Sequence, residues 1–187
     1  MPFIFLDTET SGLDPYIHDI TEIGAVYIDD KYKPDLTKTF HKRLLLQNPE
    51  NADEEALEVG HYSEKQWEST GISAEAGLLE FNDWLREVSP SGRPVIVAQN
   101  AEFDKSMLFS NADRFKVYPF VDNGWYDLIA LWISFKHKHN LMHMFNSQGV
   151  IAKHFDIKNP KAHAALTDAA TGALCFHKMM TSMDFNA

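Results

Sequence analysis

The sequence predicts an α/β fold in which helices flank a mixed β-sheet. Three observations support this prediction. Three strand-like segments follow one another near the N-terminus, a long helical stretch comes next, and a short apolar strand then precedes several helices. The chain has 187 residues and 44% hydrophobic content, enough for one full core, so we expect a single domain over residues 1–187.

Each of the four strands has its own signal. The first, at residues 3–6, is apolar and ends at Asp7. The segment "DITEIGAVYID" alternates and is rich in β-branched residues, and "TKTFHKRLLL" follows after a turn that contains Lys33-Pro34, which indicates a three-stranded meander. Residues 95–98 are continuously apolar, which predicts a strand that is buried on both faces.

Helical periodicity covers the rest of the chain. The first helical stretch covers residues 51–88. It is clearest over residues 73–88, where Ser73 is the expected N-cap. Four further helices are predicted, at residues 101–115, 126–138, 140–155 and 163–180.

Composition excludes several classes of protein. A formal net charge of -10 argues against a broad basic surface that binds nucleic acid along its length, although a local site with a metal ion remains compatible with it. The one cysteine, Cys175, lies in an apolar run and is expected in the core, which favours a reducing compartment such as the cytoplasm. We expect no membrane span, because no apolar run is long enough.

Two carboxylates end the first strand. Asp7 and Glu9 are two residues apart, so on an extended strand they project to the same face. Either a divalent cation lies between them or the strand has simply reached solvent. A calcium-binding loop of the EF-hand type is excluded for two reasons. Its twelfth position would be His18 instead of a bidentate Glu, and an apolar strand precedes it instead of a helix.

Further candidate catalytic residues lie after the buried strand and near the C-terminal end of the chain. Asp104 lies one turn into the helix after residues 95–98, and the carboxyl ends of parallel strands are where sites of open α/β sheets gather. His163 and Asp168 are five residues apart, about 140° around a helix axis. His163 must therefore lie in the preceding loop or in the first turn of the helix if both side chains face one site.

Three short motifs, "LDTETSGL", "QNAEFD" and "HAALTDA", occur in this order and together contain these five residues. In motifs, order and spacing the chain resembles the DEDD superfamily of 3'-5' exonucleases, in its histidine-bearing DnaQ-like branch, from Phe3 to about Met180. The sister branch has a tyrosine four residues before the last Asp, where this chain has Ala164.

The resemblance implies an RNase H-like mixed five-stranded sheet flanked by helices, and one exonuclease domain over residues 1–187. It also implies a metal-dependent 3'-5' exonuclease that hydrolyses phosphodiester bonds of DNA or RNA and releases 5'-mononucleotides. Two divalent cations, Mg²⁺ or Mn²⁺, would neutralise charge on the attacking and leaving oxygens.

The same resemblance assigns roles to the five residues. Asp7 is expected to bridge the two ions, Glu9 and Asp168 to hold the ion that activates water, and Asp104 to help hold the other. His163 is the expected general base, because an imidazole can take a proton near neutral pH.

The resemblance also indicates where substrate binds. The backbone around Thr10, Gly12 and Leu13 is expected to receive the terminal nucleotide, with Leu13 under its base, although Leu13 could instead be an ordinary core leucine. Asn100 and Phe103 are the other expected substrate-binding residues.

Some positions depart from the family pattern or have simpler explanations. His61 is expected at the surface, Asp127 could be an N-cap, and the remaining histidines are expected to be solvated. Lys158 and Lys161 are either phosphate contacts or ordinary surface lysines.

The expected partners are single-stranded or short nucleic acid 3' ends. Two alternatives remain open. The chain could be a proofreading exonuclease subunit that works with a polymerase, or a catalytically inactive RNase H-like interaction module. A homo-oligomer is also compatible with the sequence.

Overall fold

The computed structural model describes residues 1–159 and 163–183. Five strands are present: β1 (Phe3–Thr10), β2 (Ile20–Ile28), β3 (Pro34–Arg43), β4 (Val95–Ala98) and β5 (Trp125–Asp127). The helices are α1 (Glu54–Val59), α2 (Glu64–Thr70), α3 (Ala74–Val88), α4 (Ala101–Arg114), α5 (Leu128–His139), α6 (Gln148–His154) and α7 (Ala165–Ser182), and a 3-10 turn covers Pro49–Asn51.

The strands form one mixed sheet in the order β3-β2-β1-β4-β5. The meander β1-β2-β3 is antiparallel, whereas β4 and β5 run parallel to β1. The predicted mixed five-stranded sheet is therefore confirmed. Because β1 and β4 are adjacent and parallel, their carboxyl ends lie together at one edge of the sheet.

Helices cover both faces of the sheet, and each face has its own apolar core. One core contains Ile4, Leu6 and Ile23 packed on α3 and α4. The other contains Phe5 and Val26 packed on α5, α6 and α7. This alternation of core residues along β1 determines which of its side chains point toward α7.

Most of the predicted elements are confirmed, some with different boundaries. The helical stretch after residue 51 consists of three helices, with Ser73 accepting a hydrogen bond as the N-cap of α3. Asp127 is the N-cap of α5, so Tyr126, predicted as helical, instead belongs to β5. Cys175 is buried, as expected.

The helix predicted over residues 140–155 is wrong in its first half. Asn140 adopts a left-handed conformation that ends α5, and α6 begins only at Gln148. The buried amine of Lys136 donates hydrogen bonds to the Met144 carbonyl and the Asn146 side chain. These contacts hold the intervening segment as a loop.

None of the helices in the described part of the chain combines the length and apolar content needed to span a lipid bilayer.

Candidate active site

The five residues singled out by the motifs surround one cavity of about 250 Å³ at the carboxyl edge of the sheet. Two come from β1, one from α4, and two from the segment that opens α7. The residues that line the cavity are Asp7, Thr8, Glu9, Gln99, Phe103, Asp104, Gln148, His163 and Asp168.

The start of α7 reaches the β1 carboxylates because β2 has a glycine next to them. Gly24 is opposite Asp7 in the β1-β2 pairing. A Cβ atom at Gly24 would lie 2.2 Å from the carbonyl carbon of Ala165, so only glycine lets the helix pack this closely. The close approach brings His163 and Asp168 to the acidic end of β1.

Asp104 is positioned by the turn that precedes its helix and by two hydrogen bonds. Asn100, the N-cap of α4, has a left-handed backbone with φ of 59°. The backbone N–H and the hydroxyl of Thr8 both donate to Oδ1 of Asp104, at 3.0 and 2.8 Å. These bonds fasten the first turn of α4 to the end of β1.

Asp168 accepts a hydrogen bond on each carboxylate oxygen. Asn159 Nδ2 donates to Oδ1 at 2.7 Å, and the backbone N–H of His163 donates to Oδ2 at 2.7 Å. His163 lies in the loop before α7, as predicted, with an exposed side chain and a positive φ of 60°. The loop conformation thus orients Asp168 through the backbone and leaves the imidazole free for chemistry.

Glu9, His163 and Asp168 form the part of the site with the geometry of a cation-binding group. One ligand atom from each lies within 4.8 Å of the corresponding atoms of the other two. Carboxylate oxygens and an imidazole nitrogen are common ligands of divalent cations. Asp7 and Asp104 line the same cavity and add two more carboxylates.

Asp7, Glu9 and Asp104 have raised pKa values and so resist ionisation. Burial raises the pKa of Asp7 well above its ordinary value, and the charges of Asp104, Glu9 and Asp168 add to this effect. Burial also raises the pKa of Glu9 to about 7, with repulsion from Asp168, Glu22 and Asp104 adding to it.

Burial likewise raises the pKa of Asp104 to about 7, although the hydrogen bonds from Thr8 oppose the shift. A bound cation would relieve the repulsion among the carboxylates of the site. The donor set and its electrostatics therefore fit a divalent metal site.

A second cavity, of about 390 Å³, adjoins Glu9. Thr10, Leu13 and Phe103 line it, and so do Ala56 and Val59 of α1. Leu13 is 78% exposed, so the alternative that it is a core leucine is wrong.

The remaining predicted site residues are placed as follows. Gly12 is buried against the ring of His18, where a Cβ would lie 2.4 Å away. Asn100, expected to bind substrate, is the N-cap of α4, and its neighbour Gln99 lines the active cavity. Lys158 is exposed, and Lys161 lies outside the described residues.

His61 is exposed, as predicted, and so is His41, in agreement with the expectation that the other histidines are solvated. The Nε2 atom of His41 contacts the carboxylate of the buried Glu22.

Sequence reasoning missed four residues that support the site: Thr8, Gln99, Gln148 and Asn159. Gln148 donates to the Asp168 carbonyl at 3.0 Å, and Gln99 to the Asn146 carbonyl at 2.8 Å. Gln99 adjoins the motif asparagine and Thr8 lies between the two motif carboxylates, so the motifs could have indicated both residues. Gln148 and Asn159 had no such signal.

Comparison with known proteins gives relatives and fold neighbours. The PolC-type DNA polymerase III of Staphylococcus haemolyticus is 26% identical over 182 residues, covering 97% of this chain and 11% of that protein. The PolC-type DNA polymerase III of Thermotoga petrophila is 36% identical over 111 residues, covering 57% of this chain and 7% of that protein. The chain thus spans about a tenth of the length of these relatives.

Two solved structures have the same fold. E. coli exonuclease I in complex with a dT13 oligonucleotide superposes with a TM-score of 0.78 and 15% identity, covering 96% of this chain and 41% of that one. The nuclease domain of 3'hExo, a DEDDh family member bound to rAMP, gives 0.75 and 13% identity, covering 97% and 92%. The predicted RNase H-like fold is therefore confirmed.

The family evidence agrees with the site. The model of the RNase T exonuclease family matches residues 4–176, a range that contains all five residues around the cavity. The chain therefore belongs to the RNase T exonuclease family.

Proposed function

We propose that the protein is a metal-dependent 3'-5' exonuclease that releases 5'-mononucleotides from DNA or RNA ends. One observation carries the proposal, namely that four carboxylates and His163 surround a single cavity at the sheet edge. A pocket for a neutral small molecule does not need four mutually repelling carboxylates. Phosphodiester hydrolysis by divalent cations does need carboxylates, because they hold the cations.

The proposed metal ligands are Asp7, Glu9, Asp104 and Asp168, and the proposed metals are two Mg²⁺ or Mn²⁺ ions. When bound, the ions supply charge neutralisation on the phosphate oxygens and lower the pKa of a bound water. The protein holds the ligands in place through the Thr8 hydrogen bonds to Asp104 and the paired hydrogen bonds to Asp168. Oxygen ligands favour hard cations over softer metals.

His163 is the proposed general base. Its imidazole is exposed at the cavity, and a nitrogen of its ring lies close to carboxylate oxygens of Glu9 and Asp168. A water beside those carboxylates would be within reach of this nitrogen. Since the His163 backbone N–H already bonds to Asp168, the ring can move a proton without disturbing that carboxylate.

The second cavity is the proposed site for the terminal nucleotide. It adjoins Glu9, its apolar wall includes Leu13 and Phe103, and it is large enough for a base. Leu13 is exposed where a base could pack on it. The proposed substrates are single-stranded or short 3' ends, because a chain with net charge -10 offers little grip on a long duplex.

We also propose that residues 1–187 act as one exonuclease domain in the cytoplasm. The family match covers residues 4–176, and the buried free thiol of Cys175 needs no oxidising compartment. The PolC-type relatives favour a second candidate function, proofreading alongside a polymerase. In that case the preferred substrate is a mismatched primer end.

End-labelled single- and double-stranded oligomers of DNA and RNA test the proposal. With Mg²⁺ or Mn²⁺ we expect a ladder of products shortened from the 3' end, and no reaction in chelator or with Asp7→Asn. Faster removal of a mismatched than of a matched primer terminus would favour proofreading. If the purified protein binds Mn²⁺ in calorimetry but degrades none of the oligomers, or binds no metal at all, the interaction-module alternative prevails.

A further inference from the structure

A fifth carboxylate, Glu22, stands beside the site, and the proposed mechanism does not use it. Glu22 is directly opposite Glu9 in the antiparallel pairing of β1 and β2. Opposed residues of a strand pair project to the same face, so Glu22 shares the face of the sheet that carries Asp7 and Glu9. Its negative charge therefore lies next to Glu9 and adds to the repulsion among these carboxylates.

His41 anchors Glu22 from the neighbouring strand. His41 is opposite Gly24 on β3, one position diagonal from Glu22, and its Nε2 atom is hydrogen-bonded to Oε1 of Glu22. The Glu22 side chain is 5% exposed, and that of His41 is 35% exposed. Arg43, which is directly opposite Glu22 on β3, instead stacks its guanidinium over the Trp67 ring at 4.8 Å.

A purely structural role explains this arrangement poorly. A buried carboxylate with one hydrogen-bonding partner contributes less to stability than a well-packed apolar residue of similar size. Val26 and Ile28 occupy equivalent positions on the same face of β2 and are both apolar. Glu22 also repels Glu9 whenever no cation is bound, so its position becomes favourable only when positive charge enters the site.

We propose that Glu22, held by His41, is a positioning residue that strengthens cation binding at Glu9 and Asp168 by fixing a negative charge behind Glu9. Glu22 is not one of the residues that line the cavity, so it acts through Glu9. The inference rests on the proposed function only in placing a divalent cation at this group. It adds that the affinity for the cation depends on a residue outside the four motif carboxylates.

Mn²⁺ binding to the purified full chain, measured by calorimetry and by the Mn²⁺-induced rise in Tm, tests this role without a nuclease assay. Glu22→Gln keeps the size and hydrogen bonding of the side chain but removes its charge. We expect the Mn²⁺ Kd to rise about tenfold, the scale of one partly screened charge near the ion. Glu22→Asp keeps the charge and should restore most of the affinity.

Glu80→Gln is the matched control. It also removes one negative charge, but from an exposed ion pair with Lys42, whose side chain points to the opposite face of β3. Its Kd should stay within twofold of the wild type. Glu22→Leu is the second neutral variant and gives the same measurement if Glu22→Gln does not fold.

Activity then separates positioning from catalysis. At saturating Mn²⁺ the kcat of Glu22→Gln should lie within about threefold of the wild type, with the loss confined to the Mn²⁺ concentration at half-maximal rate. An unchanged Mn²⁺ Kd in a folded neutral variant overturns the inference and leaves the exonuclease proposal standing. Weakened Mn²⁺ binding in a protein that degrades no oligomer supports the inference and overturns the exonuclease proposal, and a wild type that binds no Mn²⁺ overturns both.

Discussion

Thr8 and Asp104 are joined by two hydrogen bonds to the same carboxylate oxygen, from the backbone N–H at 3.0 Å and from the hydroxyl at 2.8 Å. The two residues are 96 positions apart in the chain, so this pair fastens β1 to α4 at the site. Asp7, one residue earlier, has a carboxylate whose pKa is raised well above its ordinary value by burial and by neighbouring anions. The two aspartates should therefore respond differently to removal.

Asp7→Ala and Asp104→Ala should both abolish nuclease activity, but they should differ in stability. Without metal, Asp7→Ala removes a repelled anion, and its Tm in chelator should equal or exceed that of the wild type. Asp104→Ala also leaves the buried N–H of Thr8 without its acceptor, which costs about 1 to 3 kcal/mol and should lower the Tm relative to Asp7→Ala. Thermal melts in chelator measure both. A large Tm loss for Asp7→Ala would contradict the crowded site.

The raised pKa values predict how stability without metal depends on pH. Glu9 and Asp104 both titrate at about 7 in the folded protein, against ordinary values of 4.5 and 3.8. The folded state thus binds more protons than the unfolded state between about pH 4 and 7. Each extra proton makes the free energy of unfolding fall by up to about 1.4 kcal/mol per pH unit as the pH rises through that window.

Urea unfolding in chelator between pH 5 and pH 8 measures this slope. Glu9→Gln should flatten it, whereas Glu80→Gln, at an exposed surface pair, should leave it unchanged. Saturating Mn²⁺ should remove most of the decline, because the bound cation stabilises the ionised carboxylates. A free energy of unfolding that rises with pH through this window would contradict the raised pKa values.

His163→Ala should lower kcat by roughly 10² to 10⁴, the usual contribution of a positioned general base. The Mn²⁺ Kd should change much less, because the hydrogen bond to Asp168 comes from the His163 backbone and survives the substitution. Asp168→Ala should lose both turnover and metal binding. His61→Ala, at an exposed histidine, is the control, and near wild-type turnover of His163→Ala at neutral pH would exclude the general-base role.

The sequence was sufficient to predict those site residues whose positions follow from local geometry. Strand alternation places Asp7 and Glu9 on one face, and the parallel strand ends bring Asp104 to them. The angle between His163 and Asp168 on a helix required the histidine to lie in the preceding loop or the first turn, and it lies in the loop before α7.

What the sequence could not predict depends on pairing between distant segments. Glu22 becomes part of the site only through its register with Glu9, and that register follows from the whole meander. The loop before α6 has helical periodicity, but the buried amine of Lys136 forms hydrogen bonds with it that no local pattern encodes. Tertiary hydrogen bonds of this kind override local propensity.

Leu13→Ala should weaken substrate binding without affecting the fold. Leu13 is 78% exposed and lines the cavity beside Glu9, so its loss removes apolar contact with the terminal base. We expect KM for an oligonucleotide to rise roughly tenfold and Tm to stay within about 1 °C, given the free energy of burying a leucine side chain. Leu36→Ala, at a leucine on β3 that is 51% exposed, is the control. An unchanged KM would remove Leu13 from the substrate site.

Degradation should be distributive, because the chain has net charge -10 and its candidate site is lined by carboxylates. Affinity must then come from the metals and the nucleotide cavity, so binding should depend only weakly on salt, with a slope that reflects one or two phosphate contacts. Lys158, exposed one residue before Asn159, is a candidate for one of them. Lys158→Ala should reduce the slope by about 0.7, the value for one contact to a single strand, whereas Lys65→Ala on α2 should not.

In a trap experiment with excess unlabelled strand, labelled oligomers should stop after one or a few nucleotides and give a ladder. Long degradation of single molecules under the trap, or cleavage of a circular strand that has no end, would show that the protein grips nucleic acid by a surface other than this site.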